Sequence, residues 1–354
     1  MKTYSNLYPR ICSIENLHVA FRKARKGKNN RSYVKKFEAD LANNLRNLQT
    51  DLMRLTYSPA PPKVFAIRDP KSRIISAPNF RDRIVHHAIH NIIQSIFEKA
   101  FIYDSFANQI DKGTHKAIER FDKFKRKVSG NGKLIRNSRY TNQAKGYVLK
   151  ADIRHYFDTV DHETLMKIIN RKIKDKFVVW LIRTVLNNHN TGGRGMPLGN
   201  LTSQFFANVY LNELDYFVKH GLRTKYYIRY VDDFVILHIS RRVLKYYQNQ
   251  IDEFLRSRLR IELHPDKTKI FPIYHGTSFL GFRVYYYHKL LKKSNVRHFR
   301  IRLDWLIQLY RSGDISDQTL NDSVAGWMEY ARYGNTWKMR KDVSCQLNSI
   351  LKLQ

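Results

Sequence analysis

Two adjacent aspartates, Asp232 and Asp233, constrain the fold of this chain more than any other feature of its sequence. They lie in the run Tyr-Tyr-Ile-Arg-Tyr-Val-Asp-Asp-Phe-Val-Ile-Leu, residues 226–237, with apolar and aromatic residues on both sides. Such flanks are typical of two β-strands, and the acidic pair falls where a tight hairpin turns. By itself, an Asp-Asp pair is most often only a good turn former. The hairpin would also hold two carboxylates together at a sheet edge, where their mutual repulsion favours a bound divalent cation.

The charge of the chain indicates a polyanionic partner. Its 354 residues include 64 Lys and Arg against 30 Asp and Glu, and the formal net charge of +34 is spread along the whole sequence. Counterion release makes nucleic acid the leading candidate, with a membrane surface as the competitor. No segment approaches the roughly 18 apolar residues of a spanning helix, and the N-terminus lacks the apolar part of a signal peptide. We therefore expect a soluble intracellular protein with no membrane partner.

Cysteine and histidine usage argues against a structural metal site. The chain has two cysteines, Cys12 and Cys345, and no Cys-x-x-Cys pair, so neither a disulfide framework nor a zinc ribbon is available. His86, His87 and His90 have the spacing of metal ligands on a helix. Their segment is amphipathic, however, and we expect these side chains to pack in the protein or to face RNA.

The order of predicted elements indicates an α+β fold in which helices cover one face of an antiparallel sheet. Residues 1–62 are predicted to be helical and to end at a Pro-rich segment. Residues 129–146 have the composition of an exposed basic insertion. The other predicted elements are strands at 64–67, 73–76 and 147–153, and helices ending near 101 and spanning 114–128, 162–173 (with Asp161 as N-cap), 201–214, 243–259 and most of the chain after 295.

Asp152 is the third acidic residue of interest, because it lies near the end of the predicted strand 147–153. If this strand lies beside the hairpin, Asp152 joins Asp232 and Asp233 at one sheet edge. Three carboxylates there could hold two metal ions roughly 3.5–4 Å apart, one activating a hydroxyl nucleophile and the other steadying a triphosphate. An aspartate after a strand commonly only caps a helix, so the interpretation depends on further motifs.

Seven sequence blocks follow one another in the order found in reverse transcriptases. They are residues 70–85, residues 105–117, the segment around Asp152, residues 195–204, the Tyr-Val-Asp-Asp box at 230–233, residues 263–269 and residues 278–282. On these motifs, residues 63–290 resemble reverse transcriptases of the group that includes group II intron and bacterial retroelement enzymes.

The resemblance implies a right-hand polymerase fold within the α+β class. We expect an N-terminal helical extension at 1–62, fingers with the basic insertion at 63–146, a palm at 147–290 with a finger–palm connection at 174–200, and a helical thumb at 291–354. The palm would be an antiparallel sheet covered by helices. The implied activity is RNA-directed DNA polymerisation, a nucleotidyl transfer with two Mg²⁺ ions, in the cytoplasm of a bacterial or archaeal cell or encoded by a phage. The implied partners are template RNA, primer or cDNA, and deoxynucleoside triphosphates.

The resemblance also implies a metal site. By analogy with the family, Asp152 and Asp232 would ligate magnesium with help from the backbone carbonyl of Ile153, and Asp233 would complete the catalytic triad. Lys267 matches a proton donor to pyrophosphate, although a lysine before a strand is more often merely solvated.

Two further residues match nucleotide-binding positions of the family. Arg73 aligns with the basic residue that grips the incoming triphosphate, a contact that suits a guanidinium. Phe157 aligns with the aromatic gate that excludes a ribose 2′-hydroxyl. Without the resemblance, Arg73 would be taken for a solvated surface charge and Phe157 for a core residue.

The fourth block departs from most reverse transcriptases, which carry Gln-Gly followed by Ser-Pro. Here Leu198 replaces the Gln that touches the nucleotide, Gly199 is retained, and Gln204 replaces the Pro. This combination is similar to the error-prone reverse transcriptases of diversity-generating retroelements, which mutagenise cDNA at template adenines (mutagenic retrohoming). Loss of a hydrogen-bonding amide is expected to weaken discrimination against mispairs, whereas the alternative is a neutral packing change.

The C-terminal region is similar to the short thumb of the same enzymes. Arg297, Arg300 and Arg302 would be nucleic-acid-binding residues that follow the template–primer backbone, or would serve solubility alone. We find no nuclease or maturase pattern after about residue 340. The resemblance implies a small basic accessory variability protein as a partner.

Two alternatives remain open. One is a group II intron-like, retron or phage-defence reverse transcriptase, although the maturase region of intron enzymes and the Val-Thr-Gly motif of retron thumbs are missing. The other is a non-catalytic RNA-binding scaffold. Such a scaffold has no need of three mutually repelling carboxylates, so this alternative is disfavoured.

Overall fold

The computed structural model describes residues 2–68, 72–135, 143–188 and 192–351. Within these residues the helices are α1 (Tyr8–Cys12), α2 (Ile14–Arg25), α3 (Ser32–Glu38), α4 (Leu41–Met53), α5 (Phe80–Glu98), α6 (Thr114–Ser129), α7 (Tyr156–Thr159), α8 (His162–Lys172), α9 (Lys176–Asn187), α10 (Leu201–Tyr216), α11 (Arg241–Leu259), α12 (Lys293–Arg311), α13 (Asp317–Arg332) and α14 (Trp337–Leu351). The strands are β1 (Lys63–Ile67), β2 (Arg73–Ala77), β3 (Tyr147–Asp152), β4 (Tyr227–Tyr230), β5 (Asp233–His238), β6 (Lys269–Pro272), β7 (Thr277–Phe279), β8 (Phe282–Val284) and β9 (Lys289–Leu291). The helices and strands predicted from periodicity are confirmed to within a few residues.

The chain divides into two compact units. The first contains residues 1–113, 151–234 and 246–268, and the second contains residues 114–150, 235–245 and 269–354. No helix among the described residues is both long and apolar enough to cross a bilayer.

Helix α5 is the central packing element of the first unit, where it contacts α2 and α10. It begins where the Asn79 side chain accepts a hydrogen bond from the Arg81 amide. Side chains that recur at helical spacing are fully buried, among them Ile84, Ala88 and Ile89. Helices α1 to α4 confirm the prediction that residues 1–62 are helical.

The three histidines of α5 lie at the packed side of this helix. His86 is buried, and burial lowers its pKa to about 3, so the ring is neutral at physiological pH. The ring of His90 packs edge-on against Phe205, with centroids 5.1 Å apart. We expected these side chains either to pack in the protein or to face RNA. His86 and His90 pack in the protein.

Four strands form the main sheet in the order β4-β5-β3-β6. Strand β3 runs antiparallel to β6, with Val148 opposite Phe271. In β5, four consecutive side chains from Phe234 to Leu237 are at most 1% exposed. Because successive side chains of a strand point to opposite faces, both faces of the sheet are covered along β5. The expectation of a sheet covered on one face is therefore wrong for this strand.

The predicted strands β1 and β2 pair as an antiparallel hairpin, with Phe65 opposite Ile75. Every residue of β1 is exposed, although the strand is apolar. The first sequence block begins in the connection between these strands, and its residues Pro70 and Lys71 lie outside the described residues.

The second unit contains a three-stranded sheet, β7-β8-β9, and the helices α12 to α14. Gly281 lies in the turn between β7 and β8 with φ 87°, and a Cβ there would collide with the Tyr330 hydroxyl. This close approach explains the glycine of the seventh block. The sequence predicted neither helix α9 nor the strands β7, β8 and β9. Strands of three residues are too short to show a period.

The predicted basic insertion at 129–146 is only partly exposed. Leu134 and Ala144 form an antiparallel bridge, and Ala144 is fully buried. Residues 136–142 of the insertion lie outside the described residues.

Candidate active site

The acidic pair lies in a tight hairpin, as the sequence predicted. Strand β4 ends at Tyr230 and β5 begins at Asp233, so Val231 and Asp232 form the turn. Val231 adopts a left-handed conformation with φ 54°. For a β-branched residue this conformation costs about 1–3 kcal/mol, and it persists only where the surrounding structure fixes it.

Asp152 lies beside this turn, at the end of β3. The amide of Ile153 donates a hydrogen bond to the carbonyl oxygen of Asp232, with a nitrogen–oxygen distance of 3.2 Å. On the other side, the amide of His264 donates to the carbonyl oxygen of Asp152 at 2.7 Å. The structure therefore places the strand end at Asp152 beside the acidic hairpin, as expected, and adds the sixth block at His264.

Charges of both signs surround Asp232. Burial raises its pKa above the ordinary value, and the nearby carboxylate of Asp152 raises it further. The cations Lys267 and Arg73 act in the opposite direction and lower the pKa of Asp232. Arg73 is the first residue of β2, so this electrostatic effect links the hairpin of β1 and β2 to the acidic turn.

Lys267 contacts the acidic site directly. Its Nζ donates to Oδ1 of Asp152 at 2.8 Å, in an ion pair whose lysine side chain is 47% exposed and whose aspartate side chain is 18% exposed. The sequence placed Lys267 near the reacting phosphates by resemblance alone. The contact with Asp152 puts an ammonium group at the acidic edge.

The oxygen donors of this edge suit a hard divalent cation, which prefers carboxylate ligands. Repulsion from the Asp152 carboxylate contributes to the raised pKa of Asp232, and a bound divalent cation would relieve this repulsion. Among residues 2–68, 72–135, 143–188 and 192–351, however, no three Asp, Glu, His or Cys side chains form a metal-binding cluster. The Asp152 carboxylate is instead compensated by Lys267. The ligand set of Asp152, Ile153, Asp232 and Asp233 stays a prediction.

Phe157 lies in the short helix α7, which is tied to the fourth block. The amide of Met196 donates to the Phe157 carbonyl at 2.6 Å, and the amide of Gly195 donates to the Val160 carbonyl at 2.8 Å. The half-buried Phe157 ring packs against Tyr156, with centroids 5.5 Å apart. These bonds fix the backbone on which the predicted steric gate is built.

The fourth block also contacts β2. The amide of Ser76 donates to the Leu198 carbonyl at 3.1 Å. Gly199 has φ 105°, and a Cβ there would lie 2.9 Å from a methyl group of Ile75. Leu198 and Gly199 are thus held against β2, the strand that begins with Arg73.

A basic cavity of about 530 Å³ adjoins this contact. Its lining includes Gly199 and Gln204 of the fourth block together with Lys23, Lys26 and Lys28. The sequence did not predict this cavity, since its lysines are more than 150 residues from the fourth block. The basic composition of residues 22–31 is the signal that could have suggested it.

The predicted thumb arginines lie on α12 in the second unit. Arg297, Arg300 and Arg302 are exposed, whereas Phe299 and Leu303 of the same helix are buried. Helix α12 is therefore amphipathic, with these arginines on its exposed surface.

The sequence missed a buried ion pair behind the acidic turn. Arg229 of β4 and Asp215 of α10 are both fully buried and lie 2.6 Å apart. The signal that could have suggested the pair is the arginine in the middle of the short apolar strand β4, because a buried charge is nearly always paired.

Comparisons with known proteins agree with these observations. Residues 67–284 match the family model described as "Reverse transcriptase (RNA-dependent DNA polymerase)". Protein YkfC of Escherichia coli (strain K12) is 28% identical over 300 residues, which cover 72% of this chain and 73% of that protein. The group II intron-encoded protein LtrA of Lactococcus lactis subsp. cremoris is 26% identical over 341 residues, covering 76% of this chain and 51% of that protein. The chain thus spans about half the length of LtrA.

A solved structure shows the same fold. The telomerase from Candida tropicalis in complex with the TWJ fragment of telomeric RNA matches with a TM-score of 0.51 and 13% identity, over 87% of this chain and 58% of that chain. This likeness identifies a right-hand polymerase fold. Because the family match covers well over half of the chain, the protein belongs to the reverse transcriptase (RNA-dependent DNA polymerase) family and is homologous to group II intron-encoded reverse transcriptases.

Proposed function

We propose that this chain is an active RNA-directed DNA polymerase that copies template RNA into cDNA by nucleotidyl transfer with two Mg²⁺ ions. The main support for the proposal is that Asp152, Asp232 and Lys267 lie at one sheet edge. Lys267 forms an ion pair with Asp152, and the charges of both residues shift the pKa of Asp232. Reverse transcriptases use divalent metal ions, and the carboxylate oxygens here suit magnesium.

In the proposed reaction, Asp152, Asp232 and Asp233 hold the ions with the Ile153 carbonyl. When bound, the ions would lower the pKa of the primer 3′-hydroxyl and neutralise charge on the triphosphate. Lys267 would donate a proton to the leaving pyrophosphate, and its ion pair with Asp152 at 2.8 Å supports this proposed role.

The remaining proposed roles concern substrates. Arg73 at the start of β2 would bind the triphosphate, and Phe157 on α7 would exclude the ribose 2′-hydroxyl. The exposed Arg297, Arg300 and Arg302 on α12 would contact the phosphates of template RNA and primer. In this proposal residues 1–62 are the N-terminal extension, 63–146 the fingers, 147–290 the palm and 291–354 the thumb.

For the biological task, we infer adenine-directed, error-prone cDNA synthesis of the diversity-generating retroelement type. Leu198 and Gln204 of the fourth block support this inference, since most reverse transcriptases carry Gln and Pro there. A small basic accessory variability protein would then be a partner. The alternative is a group II intron-like reverse transcriptase without programmed mutagenesis, which the similarity to LtrA favours.

The test is primer extension on an RNA template with Mg²⁺. Asp232→Asn and Asp233→Asn are expected to lower the rate by at least about 1,000-fold, because catalysis through the ions needs both carboxylates. RNA affinity should remain within twofold. Asp158→Asn removes a nearby, highly exposed carboxylate and serves as the matched control with full activity. Continued cDNA synthesis by the double variant would show that the active-site assignment is wrong.

A further inference from the structure

The buried ion pair behind the acidic turn uses all three nitrogens of the Arg229 guanidinium. Nε donates to Oδ1 of Asp215 at 2.8 Å, and Nη2 donates to Oδ2 at 2.6 Å. The Tyr227 hydroxyl donates to the same carboxylate at 2.8 Å. Arg229 and Asp215 are 0% exposed, so the guanidinium is held rigidly at the end of β4.

The third nitrogen reaches the turn itself. Nη1 of Arg229 donates to the carbonyl oxygen of Val231 at 3.2 Å and to Oδ1 of Asn208 at 3.0 Å. The Val231 carbonyl belongs to the peptide unit that continues into Asp232. A hydrogen bond to this oxygen therefore fixes the plane of that peptide, and Val231 is the residue with φ 54°.

The backbone around Arg229 is anchored to the second sequence block. The Arg229 amide donates to the carbonyl of Asp104, and the Phe106 amide donates to the carbonyl of Arg229, each at 3.0 Å. The Asn208 side chain, which accepts from Arg229, donates to the Ala107 carbonyl at 2.8 Å. The guanidinium is thus fixed from β4, from α10 and from residues 104–107.

Stability alone does not explain this arrangement, because a buried ion pair can often be replaced by apolar side chains without loss of stability. The contact with Val231 requires a rigid planar fork that can bind a carboxylate and a carbonyl at once, which a lysine ammonium cannot provide. We propose that Arg229 is a positioning residue of the polymerase site. It holds the peptide between Val231 and Asp232 in the orientation that presents the Asp232 carboxylate for metal binding. The proposal rests on the proposed function of Asp232.

Arg229→Lys tests the proposal, since it keeps the charge opposite Asp215 but loses the fork. We expect a folded protein with about 10–100-fold lower kcat or Mn²⁺ affinity, the range found when a partner that orients a metal ligand is removed. Mn²⁺ binding is measured by electron paramagnetic resonance of the free ion, with Asp232→Asn as the non-binding reference. Primer–template affinity should stay within twofold.

Tyr227→Phe is the matched control, because the Tyr227 hydroxyl donates to the Asp215 carboxylate, whereas Arg229 is the residue that donates to the turn carbonyl of Val231. It should lower the melting temperature while kcat and Mn²⁺ affinity remain within twofold of the wild type. The double variant Arg229→Met/Asp215→Leu removes both charges together and should fold with the same catalytic defect as Arg229→Lys. If Arg229→Lys does not fold, this double variant tests the role of Arg229 in its place.

Either of two results would overturn the proposal. One is wild-type Mn²⁺ affinity and kcat in a folded protein that lacks Arg229. The other is an equal loss in Tyr227→Phe, which would make the effect one of general stability. If the wild-type protein makes no cDNA at all, the proposed function fails. The Mn²⁺ titrations of the same variants still test the role of Arg229.

Discussion

The backbone at Leu198 is held in place by contacts with β2. Its carbonyl accepts a hydrogen bond from Ser76, and the next residue, Gly199, leaves no room for a Cβ beside Ile75. The backbone of the fourth block is therefore fixed against β2. We therefore expect a substitution at Leu198 to change the polarity of the proposed nucleotide site without moving this backbone.

Leu198→Gln is expected to lower misincorporation opposite template adenine about fivefold, because one added hydrogen bond contributes about 1 kcal/mol of discrimination. The measurement is sequencing of cDNA copied from a defined RNA. Leu198→Met, which adds no hydrogen-bonding group, should leave the error spectrum unchanged. If Leu198→Gln also leaves the error spectrum unchanged, Leu198 has no part in fidelity. That result would favour the group II intron-like alternative.

At the scale of one element, helix α8 begins with a charged cap that the sequence predicted. Oδ1 of Asp161 accepts from the amide of Thr164 at 2.8 Å, and Oδ2 accepts from Arg260 at 3.1 Å. Burial raises the pKa of Asp161, but the bonds from Thr164 and Arg260 outweigh it and leave the pKa below its ordinary value. The ionised carboxylate therefore stabilises the folded state.

Asp161→Ala should lower the free energy of unfolding by about 1–2 kcal/mol at pH 7. Because the folded-state pKa is depressed, this stabilisation is fully present above the unfolded value of 3.8 and is lost as the pH falls through the folded value. Urea denaturation between pH 7 and pH 2.5 measures it. Asp161→Asn keeps a capping side chain without the charge. Its free energy of unfolding at pH 7 should lie between those of the wild type and Asp161→Ala. A difference between Asp161→Ala and wild type that is constant across this range would rule out the charged cap.

On the scale of the whole molecule, charge governs the expected binding of nucleic acid. The net charge of +34 makes some affinity for any polyanion unavoidable, so specific contacts must be separated from this background. The arginines of α12 are exposed together on one helix, which makes them suitable for such a test.

Changing Arg297, Arg300 and Arg302 together to Gln should reduce the slope of log affinity against log salt by up to about 3, since each lost phosphate contact removes roughly 0.9. Fluorescence anisotropy with a primer–template duplex measures this slope. The control replaces the exposed Lys35, Lys36 and Arg46 by Gln, with the same loss of charge. Equal effects of both triple changes would assign binding to general charge rather than to α12.

Local sequence patterns predicted the elements that carry the site. The apolar runs around Asp232 predicted the hairpin, and the position of Asp152 predicted the strand end beside it. The family resemblance supplied the roles of Arg73, Phe157 and Lys267. The burial of both faces of the sheet along β5 was not predicted, because a run of four apolar residues does not show how many layers cover it.

The sequence by itself indicated most of the helices and strands and the carboxylates of the proposed polymerase site, because periodicity, capping and turn preference act over a few residues. The tertiary structure decided which distant groups meet. Lys267 and Asp152 are 115 residues apart in the chain, and Arg229 reaches the acidic turn only because α10 supplies Asp215 and Asn208 beside it. Such contacts depend on the packing of whole elements, since a buried charge is stable only where the fold brings its partners within hydrogen-bonding distance.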